Sequence, residues 1–127
     1  MPAKVLIVDD EKDFLDIMAE RMSARGMDVS TATSAADALE MVRTEAYDAV
    51  IMDMIMPEMD GLTALKLFKE SRPEVSIILL SANVPEEKCI EAIKLGAMDV
   101  IEKPADLNLL TQKIEQAKAR KLKKPKT

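Results

Sequence analysis

Short apolar runs alternate with amphipathic stretches along the whole chain. Residues 4–8 and 75–80 are nearly continuous apolar runs rich in β-branched side chains, which is typical of strands buried on both faces of a sheet. Residues 48–53 and 98–101 form shorter runs, and residues 27–31 interleave apolar with polar positions. These five runs predict five strands, with the most polar one at an edge of the sheet.

Each apolar run is followed by a stretch in which apolar side chains recur at helical spacing. The first helix is predicted over residues 11–25, just ahead of Gly26. Its apolar stripe consists of Phe14, Ile17, Met18 and Met22. The second helix opens at a capping box formed by Ser34 and Asp37, and the third stops before Pro73.

The last two helices complete the alternation. The fourth is predicted to start at Asn83 and Pro85 and to end at Gly96. Its apolar residues Ile90 and Ile93 are predicted to face the core. The final helix carries the stripe Leu107, Leu110, Ile114 and Ala117. Five strands alternating with five helices predict one α/β domain, a parallel sheet with helices on both faces, because parallel neighbours need crossover connections.

Polar side chains stand at the carboxyl ends of four predicted strands. They are Asp9 and Asp10 after the first strand, Asp53 at the end of the third, Ser81 after the fourth and Lys103 after the fifth. In a sheet of this kind ligands bind beyond the carboxyl ends of the strands, so these side chains form the candidate site.

The residue types at this edge favour phosphoryl transfer. Three carboxylates in one place repel one another, by about 1 kcal/mol per pair in water and about 4 at intermediate dielectric, so a cation is expected there. Oxygen ligands without His or Cys favour a hard ion, and Mg²⁺ fits because it keeps waters and takes only one or two carboxylates. With Lys103 and Ser81 beside it, Asp53 is the candidate nucleophile, and the product would be an aspartyl phosphate.

Composition excludes several other functions. Histidine is absent, which excludes a histidine general base, phosphohistidine carriage and most transition-metal sites. The scarcity of aromatic residues argues against an aromatic platform for nucleic acid, and an acidic chain of net charge −5 with a basic end does not favour direct nucleic-acid binding. The single Cys89 excludes an internal disulfide, and no apolar run approaches the roughly 18–20 residues that cross a bilayer. The chain is therefore predicted to be cytoplasmic.

Taken in order, the motifs resemble the receiver domain of two-component response regulators, the CheY-like superfamily. They are the pair Asp9-Asp10, then Asp53 followed by Pro57 and Asp60-Gly61, then Ser81-Ala82, then Lys103-Pro104. The resemblance covers residues 3–119 and implies a flavodoxin-like doubly wound sheet with strand order 2-1-3-4-5. It implies a receiver domain over residues 1–119 and a basic tail or linker start over residues 120–127.

The resemblance also implies a role for each residue of the candidate site. Asp53 would be the phosphoacceptor, Asp10 a direct Mg²⁺ ligand, Asp9 a ligand through water and the Ile55 backbone carbonyl a further ligand. Ser81 and Lys103 would hold the phosphoryl oxygens. The Lys103–Pro104 peptide bond is expected to be cis.

The implied function is that of a regulatory phosphoacceptor, which assists its own phosphorylation and dephosphorylation but is not a turnover enzyme. The donor would be a histidine kinase or a histidine phosphotransfer protein. The output domain or protein would bind the face of helix 4, strand 5 and helix 5, and a weak homodimer is a further expected partner state. Val100 stands where receivers usually carry Tyr or Phe, and it has no ring to turn. The signal is therefore expected to travel through the Ser81 loop and helix 4.

Two other functions remain open. A phosphorylation-independent interaction module is compatible with Val100, whereas the intact acidic set argues against it. A phosphatase of the haloacid-dehalogenase type would form the same aspartyl phosphate, but such enzymes normally need a second acid two residues after the nucleophile, where Ile55 stands.

Overall fold

A computed structural model of the chain describes residues 2–104 and 106–123, with side chains described up to residue 120. Its ten elements alternate as β1 (Lys4–Val8), α1 (Lys12–Ala24), β2 (Asp28–Ala32), α2 (Ala35–Thr44), β3 (Ala49–Asp53), α3 (Gly61–Ser71), β4 (Ser76–Ser81), α4 (Glu86–Lys94), β5 (Asp99–Glu102) and α5 (Leu107–Lys123). The five predicted strands and five predicted helices are therefore all present. The boundary predicted after residue 119 falls within α5, and residues 124–127 lie outside the described part.

The five strands form one parallel sheet in the order β2-β1-β3-β4-β5. This confirms the predicted fold class and strand order. Asp53 lies beside Leu80 in the register, and Ser81 lies beside Glu102. The strand ends that carry the polar residues therefore meet at one edge of the sheet.

Alternate residues of the central strands supply two separate apolar cores. On one face Leu6, Val50 and Ile77 pack in a cluster with residues of α2, α3 and α4. On the other face Ile7 and Ile51 pack in a cluster with residues of α1 and α5. Helices on both faces explain why the central strands are apolar at nearly every position.

The apolar stripe of α4 differs from the prediction. Ile90 is 49% exposed and Ile93 is 48% exposed, so the prediction that they face the core is wrong. The smaller Cys89 and Ala92 pack against the core instead, and Ala92 is fully buried. Both pairs have i, i+3 spacing one residue apart, so periodicity could not choose between them. The close approach of α4 to α3 and to the short edge strand β5 selects the smaller pair.

Helix α1 shows the same kind of shift. Ile17 is 51% exposed, so its assignment to the apolar stripe is wrong, and Leu15 takes the buried position together with Met18 and Met22. At the start of α2 the Ser34 hydroxyl accepts a hydrogen bond from the Asp37 amide, as the capping motif predicted. Within the described residues, no helix combines the length and apolarity needed to cross a bilayer.

The packing of α4 predicts that glutamine is destabilising at position 92 and nearly neutral at the adjacent position 93. Ala92→Gln forces a long polar side chain into a filled core, and overpacking typically costs about 1–3 kcal/mol. Ile93→Gln extends into solvent and is expected to change the free energy of unfolding by no more than about 0.5 kcal/mol. Urea denaturation measures both. Equal destabilisation by the two variants would contradict this orientation of α4.

Candidate functional site

Three predicted site residues meet at the carboxyl edge of the sheet. The Lys103 Nζ atom donates hydrogen bonds to Oδ2 of Asp53, at 2.8 Å, and to Oδ2 of Asp9, at 2.9 Å. The side chain of Lys103 is 15% exposed, that of Asp53 is 11% exposed and that of Asp9 is 1% exposed. Residues from the ends of β1, β3 and β5 therefore form one largely buried ion-paired group.

The second oxygen of each carboxylate is held by the backbone. Asp9 Oδ1 accepts a hydrogen bond from the Glu11 amide, and Asp53 Oδ1 accepts one from the Ile55 amide, each at 2.9 Å. Each acid therefore binds the turn that follows its own strand and also binds Lys103. These hydrogen bonds fix the orientation of both carboxylates.

Asp10 and Ser81 lie at the same edge but outside this hydrogen-bonded group. Asp10 is exposed next to α1, and Ser81 is buried at the end of β4. The Ser81 carbonyl accepts a hydrogen bond of 2.8 Å from the Lys103 amide, which joins the chain after β5 to the end of β4. Among the described residues, neither side chain hydrogen-bonds to Asp53 or to the Lys103 amine.

The loop after Asp53 turns back closely on itself. The Gly61 amide donates to the Met54 carbonyl at 3.1 Å. A Cβ atom at position 61 would lie 2.6 Å from that same carbonyl oxygen, so only glycine fits without movement. On the other side of the site, the Lys103–Pro104 peptide bond is cis, as the resemblance implied.

Comparison with known proteins decides the family. The sequence profile of the response regulator receiver domain matches residues 5–115. The chain belongs to the response regulator receiver domain family. It is 36% identical over 115 residues to the transcriptional regulatory protein ZraR of Salmonella typhimurium and 34% identical over 121 residues to the regulatory protein AtoC of Escherichia coli K12. These alignments cover 91% and 93% of this chain but only 26% of each relative, so the receiver domain spans about a quarter of their length.

A solved structure supports the same assignment. The crystal structure of a response regulator receiver domain protein from Clostridium thermocellum superposes with a TM-score of 0.90 at 31% identity. The match covers 94% of this chain and 97% of that chain. The family resemblance stated from the motifs is therefore confirmed.

The charge of Lys103 is stabilised within this receiver domain. Burial by itself lowers the pKa of the Lys103 amine, but the hydrogen bonds and negative charges of Asp53 and Asp9 outweigh burial and raise the pKa above its usual value of 10.5. The amine is therefore a cation at neutral pH. It offsets the repulsion between the two buried carboxylates.

The oxygen donors of the receiver domain suit a hard cation. Asp9, Asp10, Asp53 and the Ile55 carbonyl offer oxygen alone, which is the ligand type that Mg²⁺ prefers. In residues 2–104 and 106–123, no three acidic, Cys or His side chains are already grouped as a metal cage. Because Mg²⁺ takes only one or two carboxylates and keeps waters, the donor set fits, and the ion would share the carboxylates with Lys103.

Two features of the site were missed from the sequence. The Phe14 ring, which also packs against the core as its place in the apolar stripe predicts, lies with its centroid 4.3 Å from the Lys103 Nζ atom. The sequence did offer a signal for this contact, because Phe14 follows Asp10 by four residues and falls in the first turn of α1, beside the site. Beside the Asp53 loop there is also a cavity of about 220 Å³, lined by Met54, Ile55, Asp60, Asn83, Val84, Pro85 and Lys88.

The raised pKa of Lys103 predicts a pH window for stability. The folded pKa of Lys103 exceeds its usual value of 10.5, so the contribution of the ion pair is complete below that pH and is lost as pH rises through the folded pKa. The difference in unfolding free energy between wild type and Lys103→Met is expected to be constant from about pH 7 to about pH 10 and to shrink above it. This difference in unfolding free energy is expected to be no larger than about 3–5 kcal/mol.

Urea denaturation across this pH range measures the difference. Lys12→Met is the matched control, because Lys12 pairs with Asp16 in an exposed i, i+4 ion pair and should contribute at most about 0.5 kcal/mol. If the contribution of Lys103 to the unfolding free energy grew with rising pH, its raised pKa would be contradicted.

Proposed function

We propose that this receiver domain accepts a phosphoryl group on Asp53 from a phosphohistidine donor in a Mg²⁺-dependent reaction and relays it as a conformational signal. The observation that carries the proposal is the Lys103 ammonium 2.8 Å from Asp53 Oδ2. A fixed cation thereby stands beside the carboxylate that would be phosphorylated. Receiver domains of response regulators are generally regulatory, and this one is proposed to act on its own aspartate.

The proposed step joins Asp53 to the phosphorus atom of the donor. A carboxylate oxygen of Asp53 attacks phosphorus, the phosphorus–nitrogen bond of the donor breaks, and the imidazole leaves with that electron pair and takes up a proton. Lys103 and the Ser81 hydroxyl bind the transferred oxygens, because phosphoryl transfer depends mainly on positioning and charge neutralisation. Mg²⁺, when bound, neutralises further charge on those oxygens. It would be held directly by Asp10, Asp53 and the Ile55 carbonyl and through water by Asp9.

The phosphodonor histidine lies outside these 127 residues, because they contain no histidine. We assign that role to a histidine kinase or a histidine phosphotransfer protein, with the exchange taking place in the cytoplasm.

The proposed output surface is the face of α4, β5 and α5. Ile90 and Ile93 are exposed on α4 and Leu109 is 39% exposed on α5, and exposed apolar groups of this kind favour contacts with proteins. An ion pair of 2.9 Å between Asp99 and Lys113 joins β5 to α5 on this face. An output domain, a separate output protein or a second copy in a weak homodimer would bind there.

Phosphoryl uptake on Asp53 is tested with a small donor. Incubation with phosphoramidate and Mg²⁺ is expected to add a single hydroxylamine-labile phosphoryl group, detected by intact mass. Asp53→Asn should abolish the adduct, because the amide is not a nucleophile. Asp28→Asn, which changes an exposed acid on β2, should keep it. Asp10→Asn and removal of Mg²⁺ with EDTA should each slow uptake.

The remaining outcomes separate the other functions. An adduct that persists in Asp53→Asn would contradict the assignment of the acceptor. Turnover of added phosphoesters would support a phosphatase. No adduct on the wild-type protein would support an interaction module that does not use phosphorylation.

The conformational relay is tested by NMR with the beryllofluoride mimic. Adding it with Mg²⁺ is expected to shift amide resonances across residues 82–104, which include α4 and β5, because a ligand that binds one conformation better shifts the population toward it. Asp53→Asn should show no such shifts. Chemical-shift changes confined to residues 9–10 and 53–61 would mean that the mimic binds at the site without changing the conformation of α4 and β5.

A further inference from the structure

Only one of the three aromatic side chains lies at the site. The chain contains Phe14, Tyr47 and Phe68 and no tryptophan. The Tyr47 hydroxyl donates to Glu45 ahead of β3, and Phe68 is fully buried among the residues of the α2–α4 core. The Phe14 ring faces Lys103 at 4.3 Å. An aromatic contact with this lysine therefore comes from α1, while Val100 is aliphatic.

The geometry suits a cation–π interaction. A cation within about 6 Å of a ring centroid is attracted by the negative face of the ring. Phe14 is partly buried against the α1 and α5 core, which restricts its ring, and Lys103 is 15% exposed, which limits competition from water. The ammonium is therefore held by two carboxylates on the sheet and by the ring on α1.

A ring differs from the other groups that could hold the amine there. A lysine ammonium has three donor hydrogens, and the carboxylates of Asp9 and Asp53 accept two hydrogen bonds from it. A further carboxylate or amide oxygen would take the third hydrogen and, if charged, would repel an incoming phosphoryl group. The Phe14 ring attracts the cation without supplying an oxygen acceptor.

We propose that Phe14 is a positioning residue for Lys103, whose ring holds the ammonium at the carboxylate edge and leaves a donor hydrogen for a transferred phosphoryl oxygen. This role rests on the proposed function of Asp53. Simple apolar packing is the competing explanation, since Phe14 also contacts the core. Leucine would preserve most of that packing and remove the ring, so the two explanations predict different results.

The test compares side chains at position 14 by the rate of phosphoryl uptake from phosphoramidate with Mg²⁺. Phe14→Tyr is expected to keep the wild-type rate, and Phe14→Leu is expected to be about two- to fivefold slower. Replacing Phe14 by mono-, di- and trifluorinated phenylalanine keeps the shape while weakening the negative ring face, so the rate should fall with each fluorine. Ile17→Leu, an exposed change on the same helix, should leave the rate unchanged.

A second readout needs neither metal nor phosphate. The ε-methylene protons of Lys103 should resonate upfield of those of the other lysines, because they lie near the Phe14 ring, and the shift should disappear in Phe14→Leu. Wild-type rates in the leucine and fluorinated proteins, or no upfield shift in the wild type, would overturn the role of Phe14. If the wild type formed no adduct, the function of Asp53 would fail first and the role of Phe14 with it.

Discussion

The ammonium of Lys103 shared between Asp9 and Asp53 is the interaction on which the arrangement of this edge depends. In the sheet order, β4 lies between β5, which precedes the lysine, and β3, which carries Asp53. The lysine must therefore reach across the end of β4. Ser81, at that end, has a small side chain, and its carbonyl holds the backbone of Lys103 at 2.8 Å. A long side chain after β5 and a short one at the end of β4 thus complement each other.

Because Asp9 and Asp53 are buried, their carboxylates must be paired, and the pairing is sensitive to any further charge at the site. Two carboxylates taken out of water are costly unless they are paired and hydrogen-bonded, and here each has one oxygen on the backbone and one on Lys103. A further charge at this edge, whether a metal cation or a phosphoryl anion, would compete for interactions with the same three groups, the Lys103 ammonium and the carboxylates of Asp9 and Asp53. The contacts at this edge are therefore sensitive to a local change of charge, which is how modification switches generally begin.

Most of the fold follows from the sequence, because the strands are apolar on both faces and each is followed by a helical stripe. The meeting of Asp9, Asp53 and Lys103 follows from the rule that parallel strands end at one edge. The errors arise where two apolar stripes compete on one helix, as with Ile93, since spacing does not reveal which face packs. The contact between Phe14 and Lys103 was missed because reach between side chains of different elements leaves no periodic signal along the chain.

Helix α4 is anchored less firmly than the helix before it. Ala92 is the only buried residue of α4 (Glu86–Lys94), whereas α3 buries five residues, including Leu65 and Phe68. Little apolar surface therefore holds α4 to the core, and few buried apolar contacts are typical of regions of lower local stability. The loop that enters α4 follows Ser81 and contains Asn83 at φ 58°, a left-handed conformation that asparagine adopts more readily than most residues. Only residues 82–85 connect Ser81 to the start of this helix. In the proposed relay, a switch built on α4 would need no aromatic ring at position 100, because weak anchoring and a short connection to the site would supply the coupling.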